Sequence, residues 1–87
     1  MTWSLYLVRT RDGALYTGIA LDVDKRFAEH EAGARGAKSL RGRGPLELVY
    51  RVEVGERGLA QGLEHRVKKL AKAEKERLVR QSPPADA

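Results

Sequence analysis

The chain has 87 residues, of which 41% are hydrophobic and 33% are charged, and its formal net charge is +5. This length supports one domain with a small core, and the lack of cysteine excludes disulfides and thiolate metal sites. The excess of seventeen Lys and Arg over twelve Asp and Glu favours a polyanion as the partner.

No apolar run in the sequence is long enough to cross a bilayer. The first ten residues also lack the basic start and the long apolar stretch of a signal peptide. We therefore expect a cytoplasmic protein.

Residues 3–10 and 14–21 are rich in aromatic and aliphatic side chains and predict two β-strands joined by a hairpin. A two-residue loop would pair Arg11 with Ala14 and would place the tyrosines of the two strands on opposite faces. A three-residue loop, with Gly13 in the left-handed conformation, pairs Thr10 with Ala14 instead. We predict the three-residue loop because a slip of one residue scrambles an otherwise consistent separation of side chains.

In that register the hairpin has two distinct faces. One face carries mainly aliphatic residues, namely Leu5, Leu7, Leu15, Ile19 and Leu21. The other face carries both tyrosines with two smaller neighbours, namely Tyr6, Val8, Tyr16 and Gly18.

Asp22 is a good N-cap and predicts a helix over residues 23–32, in which Arg26 and His30 lie four residues apart on one stripe. The following segment, residues 33–45, contains several glycines and predicts a loop. No acidic residue occurs between Ala32 and Leu46, and the basic residues there are Arg35, Lys38, Arg41 and Arg43.

Residues 46–54 alternate well enough to predict a third strand. One side would carry Leu46, Leu48, Tyr50, Val52 and Val54. A helix that starts near Glu56 follows, and its predicted core-facing stripe is Leu59, Leu63, Val67 and Leu70.

A shorter helix is predicted over residues 73–80, and residues 81–87 form a polar tail that we expect to be disordered. The predicted fold is α+β, with a three-stranded, mainly antiparallel sheet that carries helices in the order β-β-α-β-α-α. Residues 1–80 form its single domain.

The candidate chemical groups form a small set. Tyr6 and Tyr16 share a hairpin face, Arg26 and His30 follow on the next helix, and Glu64 is a lone acid in a basic helical stretch. Each has an ordinary explanation when taken singly. Strand tyrosines usually pack, a single histidine is usually structural, and Glu64 has a lysine four residues further on.

As a set, these residues match a family pattern. The tripeptides Ser4-Leu5-Tyr6 and Tyr16-Thr17-Gly18 resemble the two half-motifs that name the GIY-YIG nucleases. The similarity continues through Arg26, His30 and Gly33, then through residues 42–50, Glu64 and residues 68–75. It covers residues 3–80 and is similar to the small stand-alone bacterial branch of that family.

This resemblance implies hydrolysis of a phosphodiester bond with one divalent ion, Mg²⁺ or Mn²⁺. By position, Tyr6 and Tyr16 correspond to the motif tyrosines, one of them near the attacking water as general base. Arg26 would steady the phosphate, and His30 would orient the water or a tyrosine hydroxyl. Glu64 would be the protein ligand of the metal, because Mg²⁺ is commonly held by one or two carboxylates and keeps most of its waters.

The substrate implied is nucleic acid, with DNA expected in preference to RNA, low sequence specificity and a role in repair or turnover. The expected phosphate-binding residues are basic ones in the loop and after the metal glutamate: Arg35, Lys38, Arg41, Arg43, Lys68 and Lys69.

Two features of the sequence depart from the family pattern. Ser4-Leu5 replaces Gly-Ile, and the chain has no asparagine, so that Glu76 stands at the spacing where many catalytic members carry one. An alternative function is therefore a non-catalytic nucleic-acid-binding module that kept the fold. A further alternative is a scaffold domain whose basic surface serves only solubility.

Overall fold

The computed structural model describes residues 1–33, 40 and 42–81. Its elements are β1 (Trp3–Arg9), β2 (Leu15–Ala20), α1 (Val23–Ala32), β3 (Glu47–Gly55), α2 (Arg57–Lys68) and α3 (Lys72–Gln81). The strands form one antiparallel sheet in the order β2-β1-β3. The predicted fold class and element order are confirmed.

The β1–β2 hairpin has the three-residue loop that the sequence predicts. The backbone N–H of Thr10 donates to the carbonyl of Ala14 at 2.9 Å, and Gly13 adopts a φ of +88°. Tyr6 consequently lies opposite Gly18. This register places both tyrosines on the same face of the sheet.

Each face of the sheet supports its own hydrophobic cluster. The first cluster contains Tyr6, Val8, Ala20 and Val23, with Tyr16, Phe27, Leu46 and Leu48 packed against it. The second contains Leu5, Leu7 and Val67, and the half-buried residues around it include Ile19, Tyr50, Leu63, Leu70, Leu78 and Val79. The separation of the hairpin residues into two faces follows from the register.

The strict alternation predicted for β3 is wrong. Leu7 pairs with Tyr50 but Val8 pairs with Leu48, so that Val49 is an extra residue at a β-bulge. The bulge reverses the alternation, and Leu48 therefore packs in the first cluster while Tyr50 packs in the second.

The stripe predicted for α2 is wrong at its first position. Leu59 is 62% exposed, whereas its neighbour Ala60 is fully buried. The buried side of α2 therefore runs through Ala60 and Val67, with Leu63 partly buried beside them, whereas the partly buried Leu70 lies beyond the end of the helix. The first turn of the helix presents its small residue to the sheet.

The last helix is attached to the central strand. Arg9 of β1 donates two hydrogen bonds to Glu76 of α3, each 2.7 Å long, and Leu78 and Val79 pack on the second cluster. Gln81 is the last residue of this helix, so the predicted tail is wrong at that position, and residues 82–87 lie outside the described residues. None of the helices within the described residues has the length and apolar character needed to span a bilayer.

Leu7 and Leu59 provide a matched test of this core. We expect Leu7→Ala to lower the free energy of unfolding by about 2–5 kcal/mol, because Leu7 is fully buried and truncation leaves a cavity. The same substitution at the exposed Leu59 should change it by less than about 0.5 kcal/mol. Urea denaturation of both variants measures the difference, and equal losses would contradict the burial described here.

Candidate active site

Tyr6 lies directly over Gly18 of the neighbouring strand. A Cβ atom at Gly18 would come within 2.5 Å of the Tyr6 hydroxyl oxygen and 2.6 Å of its Cζ atom. Real Cβ atoms do not approach other atoms this closely. Position 18 therefore accepts only glycine if the Tyr6 ring is to remain in place. The sequence shows this glycine as part of a motif but does not show the steric reason for it.

The Tyr6 hydroxyl joins two residues of α1. Its oxygen lies 2.8 Å from Nε2 of His30, and the side chain of Arg26 also hydrogen-bonds to it. The ring of Tyr16 completes the group, since its centroid lies 5.5 Å from that of His30 in an edge-on arrangement and 6.4 Å from that of Tyr6. Four of the residues singled out from the sequence therefore meet on one face of the sheet.

Burial keeps Tyr6 and His30 uncharged at neutral pH. It raises the pKa of Tyr6 to about 12, with a further contribution from Tyr16 and a partial opposition from Arg26. Burial also lowers the pKa of His30, and the charge of Arg26 adds to this effect. Both groups are almost fully buried, at 1% and 3% exposure.

The direction of the hydrogen bonds follows from these states. The buried phenol proton of Tyr6 needs an acceptor, and a guanidinium can only donate. The proton is therefore directed to Nε2 of His30, whose neutral ring then carries its own proton on Nδ1. Arg26 donates to the oxygen of Tyr6, and Tyr6 donates to His30.

Arg26 is held in place by Glu29, one turn further along α1. Its guanidinium lies 3.0 Å from the Glu29 carboxylate, and this hydrogen bond is the main reason why the pKa of Arg26 is raised. The side chain remains 34% exposed and so can be reached from solvent. The candidate set from the sequence lacks Glu29, although its spacing of three residues from Arg26 is a helical pairing signal.

Glu64 of α2 acts on the same phenol. Its negative charge makes a small contribution to the raised pKa of Tyr6. Glu64 also lies 3.4 Å from Nζ of Lys68, so the ordinary explanation of an i, i+4 pair holds as well. The position of Glu64 beside the other four residues therefore stays a prediction.

Glu64 is the one carboxylate that the sequence predicts as a metal ligand. Within the described residues no three His, Cys, Asp or Glu side chains are close enough to form a metal cluster. Glu64 alone suits an ion that keeps most of its water ligands, as Mg²⁺ does, and it does not suit an ion that requires a full set of protein ligands.

Glu76, at the spacing of the missing asparagine, belongs to a different part of the structure. Its carboxylate is bound by both terminal nitrogens of Arg9, and this pairing lowers its pKa. The position therefore connects α3 to β1.

The structure describes only half of the predicted phosphate-binding residues. Lys68 and Lys69 are exposed at the end of α2. Arg43 lies 2.9 Å from Asp12 in the hairpin loop, an ion pair that a phosphate would have to displace. Outside the described residues lie Arg35, Lys38 and Arg41.

The chain is similar to known proteins over most of its length. The family of the GIY-YIG catalytic domain matches residues 2–77 of the chain. A UPF0213 protein of Klebsiella pneumoniae is 61% identical over 77 residues, which are 88% of this chain and 72% of that protein. A UPF0213 protein of Yersinia pestis is 56% identical over 81 residues, which are 93% of this chain and 84% of that protein.

Solved structures share the fold. A UPF0213 protein from Bacillus halodurans, whose solution NMR structure is known, is 39% identical in sequence to this chain. The two structures superimpose with a TM-score of 0.61, and the match covers 97% of this chain and 89% of the Bacillus halodurans chain. The solution NMR structure of a protein from E. faecalis is 27% identical, with a TM-score of 0.63, and covers 92% of this chain and 84% of its own.

Substitution of Gly18 tests the position of Tyr6. We expect Gly18→Ala to push the phenol away from His30, because the new methyl group would overlap the hydroxyl. The NMR signals of the His30 ring should then lose the shift that the phenol imposes. Gly62→Ala in α2 is the control, since a Cβ there meets nothing within 4 Å. An unchanged His30 spectrum in Gly18→Ala would contradict the close contact.

The buried His30 predicts a specific dependence of stability on pH. Its pKa in the folded state lies below the ordinary value of 6.5, so that protonation favours the unfolded chain and the lost stability appears as pH falls below 6.5. The groups facing the ring are Tyr6, Tyr16, Arg26 and Glu29.

Denaturant unfolding at a series of pH values measures this effect. We expect His30→Gln to remove the loss of stability just below pH 6.5, whereas His65→Gln, at an exposed position, should retain it. Losses at more acidic pH come from Asp12 and Glu76, whose pKa values are lowered, and both variants should keep them. Identical profiles for the two variants would refute the assignment to His30.

Proposed function

The chain belongs to the GIY-YIG catalytic domain family, and from this premise we propose that it is a metal-dependent endonuclease that hydrolyses phosphodiester bonds. The observation that carries the proposal is the hydrogen-bonded series from Arg26 through Tyr6 to His30, with the ring of Tyr16 beside it. A core that only needed packing would not require a guanidinium and an imidazole on one buried phenol.

The two tyrosines have different roles in this proposal. Tyr6 is a positioning residue, because it is fully buried and a pKa of about 12 keeps its proton in place at neutral pH. Tyr16 is partly exposed, so its hydroxyl is the one that a water molecule or a substrate can reach. We therefore assign the contact with the attacking water to Tyr16.

Arg26 and His30 complete the arrangement around the scissile phosphate. The guanidinium of Arg26 is accessible and carries a fixed charge, so it can bind a phosphate oxygen and stabilise the charge that develops on it. His30, neutral and hydrogen-bonded to Tyr6, keeps that phenol in a single orientation.

Glu64 is the residue that would hold Mg²⁺ or Mn²⁺, with water and substrate phosphate as the remaining ligands. When bound, such an ion acidifies a coordinated water and stabilises the departing oxygen.

The proposed substrate is nucleic acid, DNA in preference to RNA. The net charge of +5 and the exposed lysines at the end of α2 support contact with the phosphate backbone. Backbone contacts carry no sequence information, so we propose low sequence specificity and a role in repair or turnover of nucleic acid.

A second candidate function is a nucleic-acid-binding module without turnover. It is favoured by Glu76, which stands at the spacing of the family asparagine and whose carboxylate is bound to Arg9. This candidate predicts binding that weakens steeply with salt and gives no cleavage products with any divalent ion.

Substitutions at Glu64 and Tyr16 separate the two candidates. With Mg²⁺ or Mn²⁺ and branched, nicked and single-stranded DNA, we expect Glu64→Ala to abolish cleavage and Tyr16→Phe to reduce it about 100-fold. Glu53→Gln and Tyr50→Phe are the controls. Both residues lie in β3, outside the candidate set, and both variants should retain activity. Cleavage that survives the loss of Glu64 would remove that residue from the metal role.

A further inference from the structure

A cavity of about 150 Å³ opens directly beside the candidate active site. It lies between the end of α1 and the segment that leads into β3, and its lining includes His30, Leu40 and Pro45. Because His30 also contacts Tyr6, the cavity and the candidate site share a wall.

The far wall of this cavity is fixed to the β1–β2 hairpin. The N–H of Arg11 donates to the carbonyl of Arg43 at 3.0 Å, and the N–H of Arg43 donates to the carbonyl of Leu40. The ion pair between Arg43 and Asp12 adds a side-chain connection, and Leu46 packs on the first hydrophobic cluster. The wall is thus attached to the element that sets the register of the site.

The lining suits a flat, largely apolar group with a polar edge. Leu40, Pro45 and Leu46 supply apolar surface, whereas Gly42 and Gly44 have no side chains and contribute only backbone to the wall. A planar heterocycle would pack against the former and hydrogen-bond to the latter.

The described lining of the cavity favours a group that donates hydrogen bonds. Its described lining contains one charged side chain, the acidic Glu31, and it adjoins the C-terminal end of α1, where the helix dipole is negative. His30 is neutral because burial lowers its pKa. The Glu31 carboxylate and the C-terminal end of α1 therefore attract N–H donors to the described part of the cavity.

We propose that this cavity receives one unstacked nucleobase of the substrate strand, next to the phosphate bound at Arg26 and Tyr16, and that it prefers bases with an exocyclic amino group. The Glu31 carboxylate accepts from that amino group, as carboxylates accept from cytosine N4. The identity of the ligand as nucleic acid rests on the proposed function. Strands with unpaired bases are then the preferred substrates, because removing a base from a paired stack costs energy.

Titration of the isotope-labelled full chain with nucleosides, followed by NMR, tests the cavity without any cleavage. We expect cytidine and adenosine to shift the amide signals of Gly42 and Gly44 and the ring signals of His30, and uridine to bind about tenfold more weakly. Shifts scattered over the surface, or equal binding of all three nucleosides, would overturn the inference.

Two variants make this test specific. Gly44→Val should fill the cavity and abolish the shifts; a Cβ there meets no atom nearer than 3.9 Å, so the fold should tolerate it. Gly62→Val is the matched control and should bind as the wild type does. Glu31→Gln should reduce the preference for cytidine over uridine, whereas Glu53→Gln should leave it unchanged. Binding that persists in Gly44→Val would place the nucleoside elsewhere.

Cleavage assays then distinguish this inference from the proposed function. The substrates are single strands that each carry one abasic nucleotide, at a different distance from the cut site in each strand. We expect the abasic nucleotide at one of these distances to lower kcat/KM about tenfold in the wild type. The same strand should show no further loss in Gly44→Val. Equal cleavage of every abasic strand would refute the base cavity and leave the nuclease intact. No cleavage at all, with nucleoside shifts confined to the cavity, would refute the nuclease and support the cavity.

Discussion

The contact between the Tyr6 ring and Gly18 is the constraint on which the site depends. It exists only because the hairpin loop has three residues, which sets Tyr6 opposite the glycine and both tyrosines on one face. The same contact brings the phenol to His30 and Arg26 of α1. A backbone feature thereby fixes the positions of side chains from three different elements, and strong steric exclusion makes that geometry difficult to relax.

The two faces of the sheet differ in the side chains that they bury. The face that carries Tyr6 accommodates polar groups, and it tolerates them because each buried atom has a hydrogen-bond partner there. The opposite face holds Leu5 and Leu7 under α2 and α3 and contains most of the aliphatic packing. Glu64 belongs to α2, and its charge makes a small contribution to the raised pKa of Tyr6.

Local signals in the sequence predicted the order of elements, the limits of α1 and the hairpin register, because cap residues and period-two patterns determine these over short distances. They failed for β3, because the bulge at Val49 depends on how this strand pairs with β1. They also failed for Leu59, because periodicity does not show which turns of a helix extend beyond the sheet and stay exposed. The five chemical residues were found through a family resemblance. The spacing of Glu29 from Arg26 indicates their pairing on α1, whereas the cavity beside His30 depends on the packing of distant segments and could not be predicted.

The double hydrogen bond between Arg9 and Glu76 spans 67 positions of the chain and has a consequence for biosynthesis. As the ribosome releases the chain from its N-terminus, the tyrosines, the arginine and the histidine emerge within the first thirty residues. The leucines of β1, however, stay uncovered until α2 and α3 have followed. Assembly is therefore completed only after α3 has emerged, and a chain interrupted before it would carry the chemical groups on a sheet with one incompletely covered side.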